Sequence, residues 1–201
     1  MEDCIDELEL SRKRMLNRTE YGSTVKSQLL VVFILALMLR SVFVITVPYS
    51  PWSDAAVYDG FGWRMSRGLG YVSETGEVTA WYPPLYPLIL SGIYSLLGHS
   101  ILAARMLNVL LDSVTTVLLY CFVNQMCPDV GHLGRRLPFL TGLLYAVNPI
   151  TIYMSGVTMP EVFFTTLLMG TVLVAFHMRL RVQQSIHRST LIMTVCSYAV
   201  L

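Results

Sequence analysis

Four long apolar runs dominate the chain, at residues 29–47, 101–125, 137–157 and 162–180. A helix needs about 20 apolar residues to cross a hydrocarbon core ~30 Å thick. Inside lipid the backbone polar groups must bond to one another, so each run has to be a helix. Composition agrees: 54% of the 201 residues are apolar and only 13% are charged, against about 25% charged in soluble domains. A disordered tail and an ordinary cytosolic enzyme are excluded. A formal charge of +1 gives no bulk pull toward nucleic acid. The expected fold class is an all-α polytopic membrane protein with about four transmembrane helices. A partial fifth run, residues 190–201, rises only about 18 Å as a helix. It either lies in the interface or opens a further span of a longer chain, and the second reading is preferred.

Lysine and arginine set the expected orientation. Arg12, Lys13, Arg14, Arg18 and Lys26 precede the first run; Arg135 and Arg136 follow the second; Arg179, Arg181 and Arg188 stand at the end of the fourth and in the segment beyond it. The opposite side holds only Arg64 and Arg67. Residues 1–28 are therefore expected in the cytoplasm, the first run is read as an uncleaved signal anchor, and the loop 48–100 is expected outside. Residues 29–201 form one transmembrane domain. Asn17-Arg18-Thr19 falls on the cytoplasmic side and is discounted as a glycosylation triplet. Cys4, Cys121, Cys127 and Cys196 all avoid the outer loop, so they imply no disulfide framework, and their spacings are not metal-like.

A loop as long as 48–100 usually has a task of its own. Residues 53–67 read as a short helix, capped by Ser53 and carrying Asp54 in its first turn, ended by Gly68-Leu69-Gly70. Residues 71–80 read as a hairpin around Glu74-Thr75-Gly76-Glu77. After Trp81-Tyr82-Pro83-Pro84, apolar residues at helical spacing predict a helix over 84–97, too short to span. Trp81, Tyr82, Tyr86 and Tyr94 suit the headgroup level, so this helix is expected along the outer interface.

Charges near lipid are costly and so the most informative. Asp54 hangs just beyond the first helix, where it either removes a proton from an acceptor hydroxyl or caps its own helix. Asp59 is on another face and reads as solvated. Glu161 opens the fourth span, where a carboxylate also suits the helix dipole. Arg105 lies early in the second span, able to pair with either acid, hold a lipid phosphate, or snorkel to the interface. Arg40 and Asp112 lie deeper, about 12 Å and 18 Å from their outer helix ends by helical rise. The first two spans run antiparallel, so these two predict a structural ion pair.

The residues Ser53-Asp54, Tyr58, Arg67-Gly68-Leu69-Gly70-Tyr71 and Thr79-Ala80-Trp81-Tyr82-Pro83-Pro84-Leu85-Tyr86-Pro87-Leu88, followed by Gly98, Ala104-Arg105, Asn108, Asn148-Pro149 and Glu161, carry a family resemblance. Over residues 29 to 180 the chain resembles the N-terminal portion of polytopic GT-C glycosyltransferases, the group of protein mannosyltransferases and lipid A aminoarabinose transferases. The resemblance implies transfer of a sugar from a polyprenyl-phosphate carrier, with inversion, to a hydroxyl of a lipid, glycan or protein. It implies Asp54 as the catalytic carboxylate and Glu161, Arg105, Tyr58, Tyr82 and Tyr86 around substrate. A divalent metal (Mg or Mn) is a candidate cofactor, although two or three carboxylate oxygens do not make a site. Membrane lipids are expected partners and nucleic acid is not. Such enzymes are longer, so the chain is expected to need a C-terminal part of the same enzyme. Two other classes stay open. One is a non-catalytic membrane subunit that binds a lipid or partner protein through the outer loop. The other is a transporter module, against which only Asn148-Pro149 breaks a span.

Overall fold

The computed structural model describes the backbone of residues 2–79, 81–127 and 131–199, and side chains within residues 22–79, 81–127 and 136–183. The regular elements among these residues are all helices: α1 (Glu2–Thr46), α2 (Asp54–Ser66), α3 (Leu85–Leu97), α4 (Ile101–Met126), α5 (Gly131–Ala146), α6 (Pro149–Ser155) and α7 (Glu161–Ala199). Three segments are long and apolar enough to cross a membrane: Gly22–Thr46, Ile101–Met126 and Glu161–Gln183. The fourth is a bent pair, Arg136–Ala146 with Pro149–Ser155, turned by 56° at its break. Three or four apolar spans fit a membrane protein. The backbone of residues 190–199 continues α7 without a break, so the separate fifth run expected there is the end of α7. Its side chains, like Cys4, Cys196 and Asn17, lie outside those described.

The bend follows from the sequence. Pro149 has no N–H to continue the ladder of α5. It becomes the first residue of α6 instead, and Asn148 caps that helix by accepting from the Ile150 N–H at 2.9 Å. A break inside an apolar span leaves carbonyls without partners. Arg40 supplies the donors. Its guanidinium reaches the carbonyls of Ala146 (3.1 Å), Tyr145 (3.4 Å) and Ala36 (3.3 Å), and the Thr151 hydroxyl (3.1 Å). Its Nε donates to Asp112 at 2.5 Å, and the second oxygen of Asp112 accepts from the Tyr145 hydroxyl at 2.7 Å. The expected ion pair is present, and both partners are buried. The geometry adds that Arg40 also satisfies the broken helix.

Helix α4 is central, packed by α1, α5, α6 and α7 and touched by α3. Its buried positions include Ala104, Asn108, Ser113, Thr115 and Thr116. Such small and polar residues let membrane helices approach and bond to each other. Thr115 and Thr166 share a hydrogen bond of 2.8 Å between α4 and α7, and Tyr120 donates to Gln28 of α1 at 2.8 Å.

Where α1 ends and α4 and α7 begin, α2 and α3 pair to form a cap. They approach closely at Gly62, where an added Cβ would stand 2.7 Å from the Leu90 Cβ. The close of α2 matches its sequence: Gly68 takes φ 76°, its N–H bonds the Met65 carbonyl, and the Leu69 N–H bonds the Arg64 carbonyl. Its start does not. The Ser53 side chain makes no cap hydrogen bond; φ is 51° and ψ −134°, and only its carbonyl accepts, from Ala56 and Val57. The hairpin expected over 71–80 is a tight turn with one antiparallel bridge, Val72 to Val78, closed by the Ser73 N–H on the Glu77 carbonyl at 2.8 Å. Gly76 at φ 82° allows this turn. Pro84 lies just outside α3, as its N-cap.

Candidate functional site

The residues between α1 and α2 turn sharply. Ser53 is the one non-glycine residue with positive φ among those described. A non-glycine residue there costs about 1–3 kcal/mol and persists only where its surroundings impose it. That strain lies immediately before Asp54, which starts α2 and is exposed.

Asp54 faces a row of phenols. The Tyr82 hydroxyl donates to its Oδ1 at 3.1 Å. The carboxylate makes no other hydrogen bond among the described residues, so its second oxygen is open to an incoming donor. Tyr82 lies edge-on to Tyr58 at 5.3 Å, and Tyr58 edge-on to Tyr86 at 5.8 Å. Tyr82 is held from behind, its carbonyl accepting from the Tyr71 hydroxyl at 2.8 Å. Tyr86 is buried against Asn108 of α4, whose amide also donates to the Val157 carbonyl at 2.7 Å. Tyr58, Tyr86, Leu90, Tyr94 and Ala104 form one packed cluster. The row is thus rooted in the membrane bundle at one end and meets a carboxylate at the other.

Charge and burial act together on these phenols. The hydrogen bond to Asp54 raises the pKa of Tyr82 above its ordinary value, with further contributions from burial and from the carboxylate charge. Burial raises Tyr58 first; the negative potentials of Glu161, Tyr71 and Asp54 add to it. Burial also dominates the rise at Tyr86, where Glu161 contributes again and the Asn108 bond acts the other way. Glu161, exposed in the first turn of α7, and Asp54 thus act on Tyr58 in the same direction.

The structure brings Asp54, Tyr58, Tyr82 and Tyr86 together, and Glu161 bears on Tyr58 and Tyr86 through its charge alone. It uses Arg105 otherwise. Arg105 is buried, so it does not snorkel, and it forms no ion pair among the described residues with Asp54 or Glu161. Its guanidinium donates to the carbonyls of Gly156 (2.7 Å), Val44 (2.9 Å) and Val47 (3.2 Å), and it lies over the Tyr49 ring at 4.9 Å. These are orphan carbonyls at the ends of α1 and α6. Arg105 thus locks two helix ends beneath the cap.

Asp59 also differs from its sequence reading. It is buried, not solvated. It accepts from the Tyr94 hydroxyl and lies 2.9 Å from His99 Nε2, while His99 stacks on Trp63 at 4.8 Å. This joins α2 to α3 and to the turn before α4. Asp54 and Asp59 do point to different faces, as their spacing requires. Sequence reasoning gave no role to Tyr71, Asp59 or His99; their partners are distant in sequence and carry no local pattern. Among the described residues no three His, Cys, Asp or Glu side chains converge where a metal ion would be held.

Comparison of the chain with protein-family models, with curated proteins and with solved structures returns no match in any of the three.

Proposed function

We propose that this chain is the N-terminal part of an integral-membrane glycosyltransferase with Asp54 as its base. The donor is a sugar on a polyprenyl phosphate, and the acceptor is a hydroxyl of a lipid, glycan or protein at the outer face. The reading rests on one observation: an exposed carboxylate, behind a strained residue, at the rim where the cap meets the spans. In the step, the acceptor oxygen attacks the anomeric carbon from the face opposite the phosphate. The bond from that carbon to the phosphate oxygen breaks, Asp54 takes the acceptor proton, and the carrier leaves as the polyprenyl phosphate. Phosphate is already a good leaving group, so one carboxylate suffices. An inverting glycosidase needs a second to protonate its leaving group. Tyr82 positions the base; Tyr58 packs behind Tyr82 and Tyr86 behind Tyr58, both buried, and Glu161 adds its charge at the exposed rim. The excess of Arg and Lys at the other ends of the spans supports an outer position for the cap.

The test is transfer from a polyprenyl-phosphate sugar by the full-length protein in nanodiscs. Asp54→Asn is expected to lower turnover by about 10²–10⁴, the range of a lost general base. Turnover within threefold of the parent refutes the assignment. A second reading is a non-catalytic subunit docking through the loop. The exposed Trp52, Val78 and Trp81 favour it. It predicts a stable complex unaltered by Asp54→Asn and disrupted by Trp81→Ala.

A further inference from the structure

Between α2 and the 73–79 turn lies a cavity of about 450 Å³, within the range of about 300–1,000 Å³ usual for small-molecule sites. Its lining mixes three kinds of group. Arg64 brings N–H donors and Glu74 and Glu77 bring acceptors; the hydroxyls of Ser73, Thr75, Thr79 and Tyr82 also line it but are engaged within the protein, Ser73 with Thr75, Thr79 with the Trp81 N–H and Tyr82 with Asp54. Trp81 adds an indole, the residue being 91% exposed.

The charged groups in this cavity do not satisfy one another. Arg64 uses its Nε on the Val72 carbonyl at 2.7 Å and lies over the Phe61 ring at 5.2 Å. No ion pair joins it to Glu74 or Glu77 among the described residues. A cavity with terminal guanidinium N–H groups and two carboxylates outside any ion pair among the described residues, beside an exposed indole, suits a ligand with matching properties. A pyranose ring has them: adjacent hydroxyls that donate to a carboxylate and accept from a guanidinium, and a face of C–H bonds that stacks on an aromatic ring. A purely apolar ligand would leave the charges desolvated, and a simple anion would meet two carboxylates.

We infer that this cavity is a saccharide-binding subsite, with Trp81 as the stacking platform and Arg64, Glu74 and Glu77 as the hydroxyl partners. Tyr82 belongs to both the cavity and the Asp54 row, so the bound ring is held next to the base. The inference rests on the transfer reading for the use made of the sugar, but not for its binding. Two sources share the chemistry, the sugar of the carrier lipid and a sugar of a glycan acceptor.

Saturation-transfer NMR on the full chain in nanodiscs tests it with methyl mannoside, glucoside, galactoside and an amino-sugar glycoside as probes. A second arm uses a polyprenyl-phosphate mannose. At least one probe is expected to bind saturably, and Trp81→Ala or the double change Glu74→Gln/Glu77→Gln is expected to weaken it by about tenfold or more. Competition by the carrier sugar at the same affinity assigns the subsite to the donor; binding of free glycosides alone assigns it to the acceptor. Absence of saturable binding by every probe to folded protein overturns the inference, as does binding indifferent to all three substitutions. Trp81-dependent binding together with normal turnover of Asp54→Asn would keep the subsite and remove the transfer reading.

Discussion

Replacing Asp112 by Ala leaves Arg40 as a buried guanidinium without its counter-charge. Breaking a buried pair from one side costs about 3–5 kcal/mol, or roughly two to three and a half orders of magnitude in the folding equilibrium. Arg40→Met is expected to cost a similar amount, because Asp112 loses its cation and the Ala146 carbonyl loses its donor, while the Tyr145 carbonyl keeps those of Asn148 and Thr151. The double change Arg40→Met/Asp112→Leu removes both charges. What remains is the cost of the unpaired Ala146 carbonyl and of the Tyr145 hydroxyl, about 1–3 kcal/mol. The double variant is therefore expected to be more stable than either single one. Exchange of the two residues, Arg40→Asp with Asp112→Arg, should not rescue, since a carboxylate at 40 would face those same carbonyls. The assay is reversible denaturant unfolding in bicelles, followed by near-ultraviolet circular dichroism. Single effects that sum to the double within about 0.5 kcal/mol, or full recovery by the exchange, would refute the reasoning.

Gly62→Ala places a Cβ 2.7 Å from the Leu90 Cβ, so the cap should lose about 1–3 kcal/mol by overpacking. Gly92→Ala meets nothing within 4 Å and is the control; Trp63 fluorescence on unfolding reads both, and equal behaviour counts against the close approach. Asp59→Ala strands the Tyr94 hydroxyl and His99 and should cost about 1–3 kcal/mol. Asp59→Asn, which keeps an acceptor, should cost less in the same titration. Tyr58, Tyr71, Tyr82, Tyr86 and Tyr94 all hold their protons above the ordinary phenol range, for which burial or the Asp54 bond is the leading cause. The unfolded chain releases these protons first, near pH 10, so their contribution to stability is complete below that pH and declines above it. Phenolate absorbance of this group should therefore rise with unfolding; full ionisation near pH 10 with the circular dichroism unchanged would contradict this.

The spans and the Arg40–Asp112 pair were legible in the sequence because both depend on regular helix rise alone. A 1.5 Å step per residue places two charges at comparable depth before any contact is known. The bend at Asn148-Pro149 was legible as a break, though not that Arg40 would serve it. Arg105 was misread because its acceptors are backbone carbonyls, which no residue type announces. Asp59 was misread because its partners, Tyr94 and His99, come from another helix and a turn. Ser53 has the chemistry of a helix cap, yet the sharp turn out of α1 imposes a backbone in which that side chain cannot reach. In the candidate site, the position of Asp54 was legible from the spans, while the tyrosines around it were named only through the family resemblance. Their joining through Tyr82 and their anchorage on Asn108 required the fold.

The tie between Arg40 and the broken helix has a consequence for how the chain is built. The first span, taken alone, carries a guanidinium deep in its apolar stretch, a penalty of about 2.5–3.5 kcal/mol at the helix centre. Its carboxylate partner follows 72 residues later, and the Ala146 carbonyl that completes the set follows 106 residues later. Until then the nascent span is poorly suited to free lipid. It is best retained beside the insertion machinery, with release of all the early helices delayed until the kinked one has emerged.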